Sequence, residues 1–329
     1  MIRRPTTRLL VAWLAAFSLV AAACGDDDDT EAGDGDSGSD GGEAAECTED
    51  SQSGPAISIG AQDFGESAIL AEIYEQALDC AGFEADIQTL GGFRDLLFGS
   101  FESGDINLAP DYVASNLEFL IDFAGEATSD VDETLDKLTP LLEDRGLVAL
   151  EPSDAVDTNA FVVTQETSDE LGITTLSDLA EKGQDLTLGA PQDCETNGFC
   201  IPGLQRVYDL DLSENFVPLD FGVIPASLDE GAIDVGVVGS TDGRLADPDT
   251  GWVLLEDDQQ MLAADNVFPL ASEELTDAYG DDLSTVLDGI SAELTTEELT
   301  ELNKRFDVDK EDADAIAESW LDDHGIGGA

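Results

Sequence analysis

Residues 56–90 read AISIGAQDFGESAILAEIYEQALDCAGFEADIQTL. The hydrophobic period changes twice within this stretch. Ala56-Ile57-Ser58-Ile59-Gly60 alternates as a half-buried strand does, and Ala85-Asp86-Ile87-Gln88-Thr89-Leu90 alternates again. Between them, Glu66 to Ala81 sets Ile69, Leu70, Ile73, Ala77 and Leu78 on one face at helical spacing. A strand, a helix and a second strand in immediate succession imply α/β units and a largely parallel sheet.

Working outward, the alternation continues. A helix is expected over Phe93–Ser103, a strand over Ile106–Ala109, a helix over 131–145 and a strand over Leu147–Glu151. Asn159-Ala160-Phe161-Val162-Val163-Thr164 is the clearest strand of the middle region. Helices follow near 176–182, 203–209 and 225–230, with strands at 186–190, 216–219, 233–238 and 252–255, and 281–325 reads as mostly helical. The fold class is α/β. About 270 residues of such pattern exceed one ordinary core and predict two lobes. No linker separates them between residues 55 and 325, so the chain is expected to cross between lobes more than once.

The chain has 329 residues, 75 Asp plus Glu, 12 Lys plus Arg and a formal charge of −63. Arg3, Arg4 and Arg8 all lie in the first 23 residues; beyond them nine bases face 75 acids, or −66 over 306 residues. Such a surface excludes nucleic-acid phosphates and disfavours anionic headgroups. With 42% hydrophobic residues in periodic order, it does not imply disorder of the whole chain.

The N-terminus carries a basic segment, an apolar run from Leu9 to Ala23, and small residues Ala21-Ala22-Ala23 before Cys24-Gly25. The run is shorter than the roughly 20 residues of a membrane-spanning helix and reads as a signal peptide over residues 1–23. It resembles a bacterial lipoprotein signal, with Cys24 as the lipidated residue; the alternative is an ordinary signal with an incidental cysteine. Residues 24–54 form an acidic Gly/Ser/Asp tether whose 12 acids and absent bases favour an extended, unpacked chain. If Cys24 bears lipid, Cys47, Cys80, Cys194 and Cys200 remain, an even number that suggests two disulfides in an exported protein. Cys194 with Cys200 would close a short loop, and Cys47 with Cys80 would pin the tether to the first helix. Four thiolates on zinc are the alternative, without paired short spacings to support them.

Phosphate-binding glycine loops and the Gly-x-Ser-x-Gly elbow do not occur. The sole histidine, His324, falls at the end of the last expected helix. No pair of carboxylates stands out for glycoside hydrolysis. No enzyme activity and no cofactor or metal are expected.

Six segments in order resemble the substrate-binding proteins of osmoprotectant ABC transporters, the glycine betaine/choline/proline betaine family. They are Ile57–Ser67, Ser103–Tyr112 (SGDINLAPDY), Asp157–Val163, Ile173–Leu179, Leu228–Val235 with Ser240–Arg244, and Leu254–Asp258 with Asn266–Pro269. The resemblance implies a type II periplasmic-binding-protein fold, with a ligand cleft between the lobes and two crossovers near 157–161 and 240–252. Lobe I is then 55–158 plus 248–329, and lobe II is 159–247. It further implies a monomeric solute-binding lipoprotein on the outer face of the cytoplasmic membrane, delivering a cationic or zwitterionic small molecule to a membrane permease. A sensory binding module, or a binder of another small polar solute, is the alternative.

A quaternary ammonium has no N–H to donate, so aromatic faces and carboxylates must hold it. On that chemistry the candidate ligand-binding residues are the aromatics Phe64, Phe93, Tyr112, Phe161 and Phe221. The polar candidates are Gln62, Asp63, Asn159, Asp220, Thr241 and Asp242. Core packing is the competing role for each aromatic. Tyr112 is the one tyrosine of four that falls on a cage motif, so the cage is expected to be either thin or rich in phenylalanine. Arg94 and Arg244 would either receive a ligand carboxylate or pair with protein acids.

Overall fold

A computed structural model of the chain describes residues 47–48, 51–92 and 94–326. The signal segment, Cys24, most of the tether and Phe93 lie outside them. The first run comprises β1 (Ile57–Ala61), α1 (Gly65–Cys80), β2 (Ala85–Thr89), α2 (Arg94–Ser103), β3 (Leu108–Tyr112), α3 (Val113–Leu120), α4 (Val131–Glu143) and β4 (Leu147–Ala149). The second comprises β5 (Asn159–Thr164), α5 (Gln165–Leu171), α6 (Leu176–Lys182), β6 (Leu188–Ala190), α7 (Ile201–Tyr208), β7 (Phe216–Pro218), α8 (Ile224–Asp229), β8 (Val235–Gly239) and β9 (Trp252–Leu254). The chain closes with β10 (Val267–Ser272), α9 (Glu273–Tyr279), α10 (Asp281–Glu293), α11 (Thr296–Asp307) and α12 (Ala313–His324).

The strands form two five-stranded sheets, ordered β2-β1-β3-β10-β4 and β7-β6-β8-β5-β9. Each sheet holds one strand antiparallel to both neighbours: β10 in the first and β5 in the second. Each of these is the first strand after the chain changes lobe. The two-lobed, twice-crossed architecture is therefore present.

The return crossing comes later than 240–252. Trp252–Leu254 pairs antiparallel with β5, so this segment belongs to the second sheet, not to lobe I. The pairing satisfies the edge of β5 that β8 leaves open, and the chain crosses back only past Met261, which is still packed in the second lobe's core. Ser240–Arg244 does reach the first lobe, where Gly243 lies against the α11 backbone. A Cβ at Gly243 would stand 2.3 Å from the Lys304 nitrogen. The two crossover segments run side by side: Val156 and Asn266 form an antiparallel bridge, and the Asp157 N–H donates to the Asp265 carbonyl at 3.1 Å.

The helical face read from α1 is the buried one. Ile69, Leu70, Ile73 and Leu78 are at most 1% exposed, and burial of each contributes roughly 1.5–3 kcal/mol. They share a core with β1, α10 and the Ile316, Ala317 and Trp320 face of α12. His324 ends α12 with its ring between the Trp320 carbonyl and the Glu298 carboxylate, at 2.7 and 2.6 Å. Glu298 also serves the capping box of α11 with Thr295.

Cys47 is bonded to Cys80, and Cys194 to Cys200. The first bridge closes a span of 33 residues and anchors the chain entering the domain to the end of α1. Cys80→Ser should lower unfolding free energy by about 3–4 kcal/mol on loop-entropy grounds. Denaturant titration of the oxidised protein and the variant measures this directly.

Candidate functional site

A cavity of about 530 Å³ opens between the two sheets. Its aromatic lining comes from both sides: Phe64, Tyr112 and Phe123 from the first lobe, Phe199 and Phe221 from the second. Tyr112 ends β3, its backbone fixed in the register opposite Val267. Its ring stacks beside Phe64, with centroids 6.5 Å apart and planes inclined by 30°. Phe64 is the residue just before α1, where the extended backbone turns into the helix.

Phe123 reaches the cavity mouth through an unusual turn. Asp122 and Phe123 both have positive φ, 55° and 58°, a region that ordinary side chains disfavour. The turn is held because the Glu118 carboxylate accepts from the N–H groups of Gly125 and Ala127, each at 2.7 Å. Burial of Glu118 is thus compensated, and Phe123 remains 75% exposed at the rim. Phe199 is placed by the short loop that Cys194–Cys200 closes, and its carbonyl accepts from the Asn159 amide at 3.3 Å.

The polar floor is acidic. Asp157 and Asp265 line the cavity from the two crossover segments. The Ser115 N–H and hydroxyl donate to Asp265 at 2.8 and 2.5 Å. Asp157 Oδ1 is buried without a hydrogen-bond partner. It lies against Gly239, where a Cβ would stand only 2.9 Å from it, so glycine is what lets the carboxylate fit there. Burial pushes the Asp157 carboxyl up to about 8, helped by the Glu66 carboxylate and opposed by the polar groups of Thr241 and Ser240 nearby. Burial likewise raises Asp265 to about 6, against the Ser115 hydrogen bonds and the charge of Arg94.

Behind the ring of Tyr112 lies Glu66, on the first turn of α1. Its carboxylate accepts from the Tyr112 hydroxyl on one oxygen, and from the Thr241 hydroxyl and the Asn303 amide on the other. One buried acid thus joins β3, the segment after β8, and α11. Burial raises the Glu66 pKa despite these three donors, and burial together with Glu66 raises that of Tyr112 well above its ordinary value. Arg94 also faces the cavity, but its guanidinium is held bidentately by the fully buried Asp111, with Nη2–Oδ1 2.6 Å and Nε–Oδ2 3.3 Å.

Residues 55–323 match the family described as the substrate-binding domain of ABC-type glycine betaine transport systems. The chain belongs to that family. One relative, the carnitine transport binding protein OpuCC of Listeria monocytogenes, is 25% identical over 269 residues, covering 80% of this chain and 85% of the relative. The glycine-betaine-binding protein of Pseudomonas aeruginosa is 26% identical over 289 residues, covering 82% and 88%. A solved structure of a glycine betaine/carnitine/choline ABC transporter superposes with TM-score 0.72 at 23% identity, covering 83% of this chain and all of that one. Apo YehZ from Escherichia coli gives TM-score 0.68 at 22% identity, with 83% and 100% covered. These likenesses carry the type II binding-protein fold. Both of these relatives are named as binding proteins, and neither is named as an enzyme.

Within this family member, the cavity brings together four of the sequence candidates: Phe64, Tyr112, Asn159 and Phe221. Phe93 lies outside the described residues, and the other candidates stand elsewhere. Phe161 is fully buried in the second lobe's core, because inward positions of β5 pack on α6 and α7. Gln62 and Asp63 border a separate hollow beside Phe306. Thr241 is buried on Glu66, one layer behind the cavity. Asp242 caps the turn after β8 and pairs with Arg244 at 2.9 Å, so Arg244 is likewise engaged by a protein acid. Asp220 is exposed just ahead of Phe221. Residue-type reasoning passed over Glu66, Glu118, Asp157, Phe199 and Asp265. Asp157 stands in the Asp-Thr-Asn segment that carries the resemblance, two positions before Asn159.

Proposed function

We propose that this chain captures a quaternary-ammonium solute of the glycine betaine, carnitine or choline type and hands it to the membrane permease of an ABC importer. The observation that carries the reading is the pairing of aromatic faces from both lobes with an acidic floor. A methylated ammonium offers no hydrogen to an acceptor, and its charge is met by ring quadrupoles and carboxylates within a few ångströms. The relatives named for carnitine and glycine betaine binding support it.

The protein acts outside the cytoplasm as a monomer, held to the outer face of the cytoplasmic membrane through lipid on Cys24. The acidic tether spaces the binding domain from the bilayer. Among the described residues no helix is long and apolar enough to cross a membrane. The pattern of charge before an apolar run ending at Cys24 supports the anchor. Radiolabelled palmitate incorporation that persists in Cys24→Ser would overturn it.

Calorimetric titration with choline, carnitine, glycine betaine and proline betaine tests the ligand class, and silence with all four sinks the reading. Tyr112→Ala removes the most enclosed ring of the cavity. Loss of a desolvated cation–π contact of about 2 kcal/mol predicts at least about a tenfold fall in affinity. An unchanged affinity would remove Tyr112 from the cage.

A further inference from the structure

The two crossover segments do more than join the lobes. Each contributes one carboxylate to the cavity, Asp157 from the outward segment and Asp265 from the return. Their backbones are hydrogen-bonded to each other, so the two acids cannot separate without breaking that link. Glu118 and Asp193 add to the acidic lining. Among the described residues the one base in that lining is Arg94, and its charge is already met by Asp111.

A ligand carboxylate entering this cavity would meet four acids and a guanidinium that is already paired. Like charges at such range in a poorly solvated site repel strongly. Asp157 Oδ1, in turn, is a buried acceptor with nothing donated to it. A buried acceptor of this kind carries a desolvation cost that a donor would relieve. A quaternary nitrogen alone cannot supply that donor; a hydroxyl elsewhere on the ligand, or an N–H, can.

We propose that the cavity selects a ligand of net positive charge bearing an O–H or N–H donor, seated on Asp157 and Asp265, over zwitterionic betaines. The proposal rests on the quaternary-ammonium reading and narrows it. Within it, Asp157 receives the donor, Asp265 adds field, and the rings hold the methylated end. The position of both acids on the crossovers means that the ligand's charge acts where the lobes are joined.

The test is calorimetric titration of the protein at pH 8.5 with choline, tetramethylammonium and glycine betaine. Choline should bind tightest, tetramethylammonium more weakly for want of a donor, and glycine betaine at least about tenfold more weakly than choline. In Asp157→Asn the preference for choline over glycine betaine should shrink by about tenfold or more. The ranking in the unmodified protein stands even if that variant folds poorly, and Asp265→Asn gives a second, smaller shift in the same direction. Glycine betaine binding as tightly as choline overturns the selectivity while leaving the quaternary-ammonium reading intact. Tetramethylammonium equal to choline overturns the donor requirement. Silence with all three probes overturns the selectivity, and the quaternary-ammonium reading falls with it only when carnitine and proline betaine are silent as well.

Discussion

Choline affinity should climb with pH by up to about tenfold per unit and level off above about pH 8. The ionised form of Asp157 is the one that meets a cation, and in the free protein its carboxyl is held up to about 8. Below that value each binding event must expel a proton, and the cost of doing so grows with proton concentration. The groups facing Asp157 set the direction. Burial and, after it, the Glu66 carboxylate raise it, while the polar groups of Thr241 and Ser240 nearby act the other way. Asp265 lies beside it and feels its charge, with Arg94 acting the other way on Asp265. Tyr112 stays protonated throughout, its pKa raised well above the ordinary value.

The same groups set how stability varies with pH. Asp157 titrates at its ordinary 3.8 when unfolded and near 8 when folded, so the folded state holds the extra proton between those values. Stability from this group is therefore full at low pH and falls as pH rises through the window. Asp265 acts in the same sense up to about 6. A bound cation, by favouring the ionised carboxyl, should flatten the slope. Thermal unfolding between pH 5 and 9, with and without choline, reads both effects. An affinity that stays constant from pH 6 to 9 would refute the coupling.

Glu66→Ala should cost about 3–5 kcal/mol of stability, more than any other single change in the site. The carboxylate takes donors from Tyr112, Thr241 and Asn303, and all three are buried. Truncation orphans them together and leaves a void at the junction of α1, α11 and the segment after β8. Glu66→Gln keeps a carbonyl acceptor and the volume, so its cost should be about 1–2 kcal/mol. The alanine variant should also weaken ligand binding, because the Tyr112 ring loses the bond that fixes its plane. Urea titration of both variants, followed by ligand titration of whichever folds, measures each part. Equal costs for alanine and glutamine would show that packing volume, not hydrogen bonding, is what Glu66 supplies.

Much of this architecture is legible along the chain. The period switch across β1, α1 and β2 reports one buried face per element, and the burial of Ile57, Ile59, Ile69 and Leu78 follows it. β10 is harder to read because Pro269 interrupts its pattern; it sits opposite Pro110 of β3, where a missing N–H goes unnoticed only because of the partner chosen. β3 itself extends to Tyr112, past Pro110 and Asp111, although a polar aspartate argues against a strand buried along its whole length. Arg94, 17 positions earlier, makes that burial tolerable by pairing with it.

The site follows the same division. Tyr112 and Phe64 could be chosen from local motifs because an aromatic at a strand end or a helix entry tends to face a cleft. Phe161 satisfied a similar local rule and turned inward, since the parity of β5 is set by its neighbours β8 and β9. The sequence by itself determined the alternation of strands and helices, the apolar face of each, and a surface too acidic for anionic partners. Tertiary structure alone decided that Asp157 and Asp265 stand side by side beneath the aromatics, and that Glu66 ties three distant segments together. Periodicity is a local property, set by 3.6 or 2 residues per turn. The charge state of a buried carboxylate depends on whichever groups the fold brings within a few ångströms, however far off they lie in sequence.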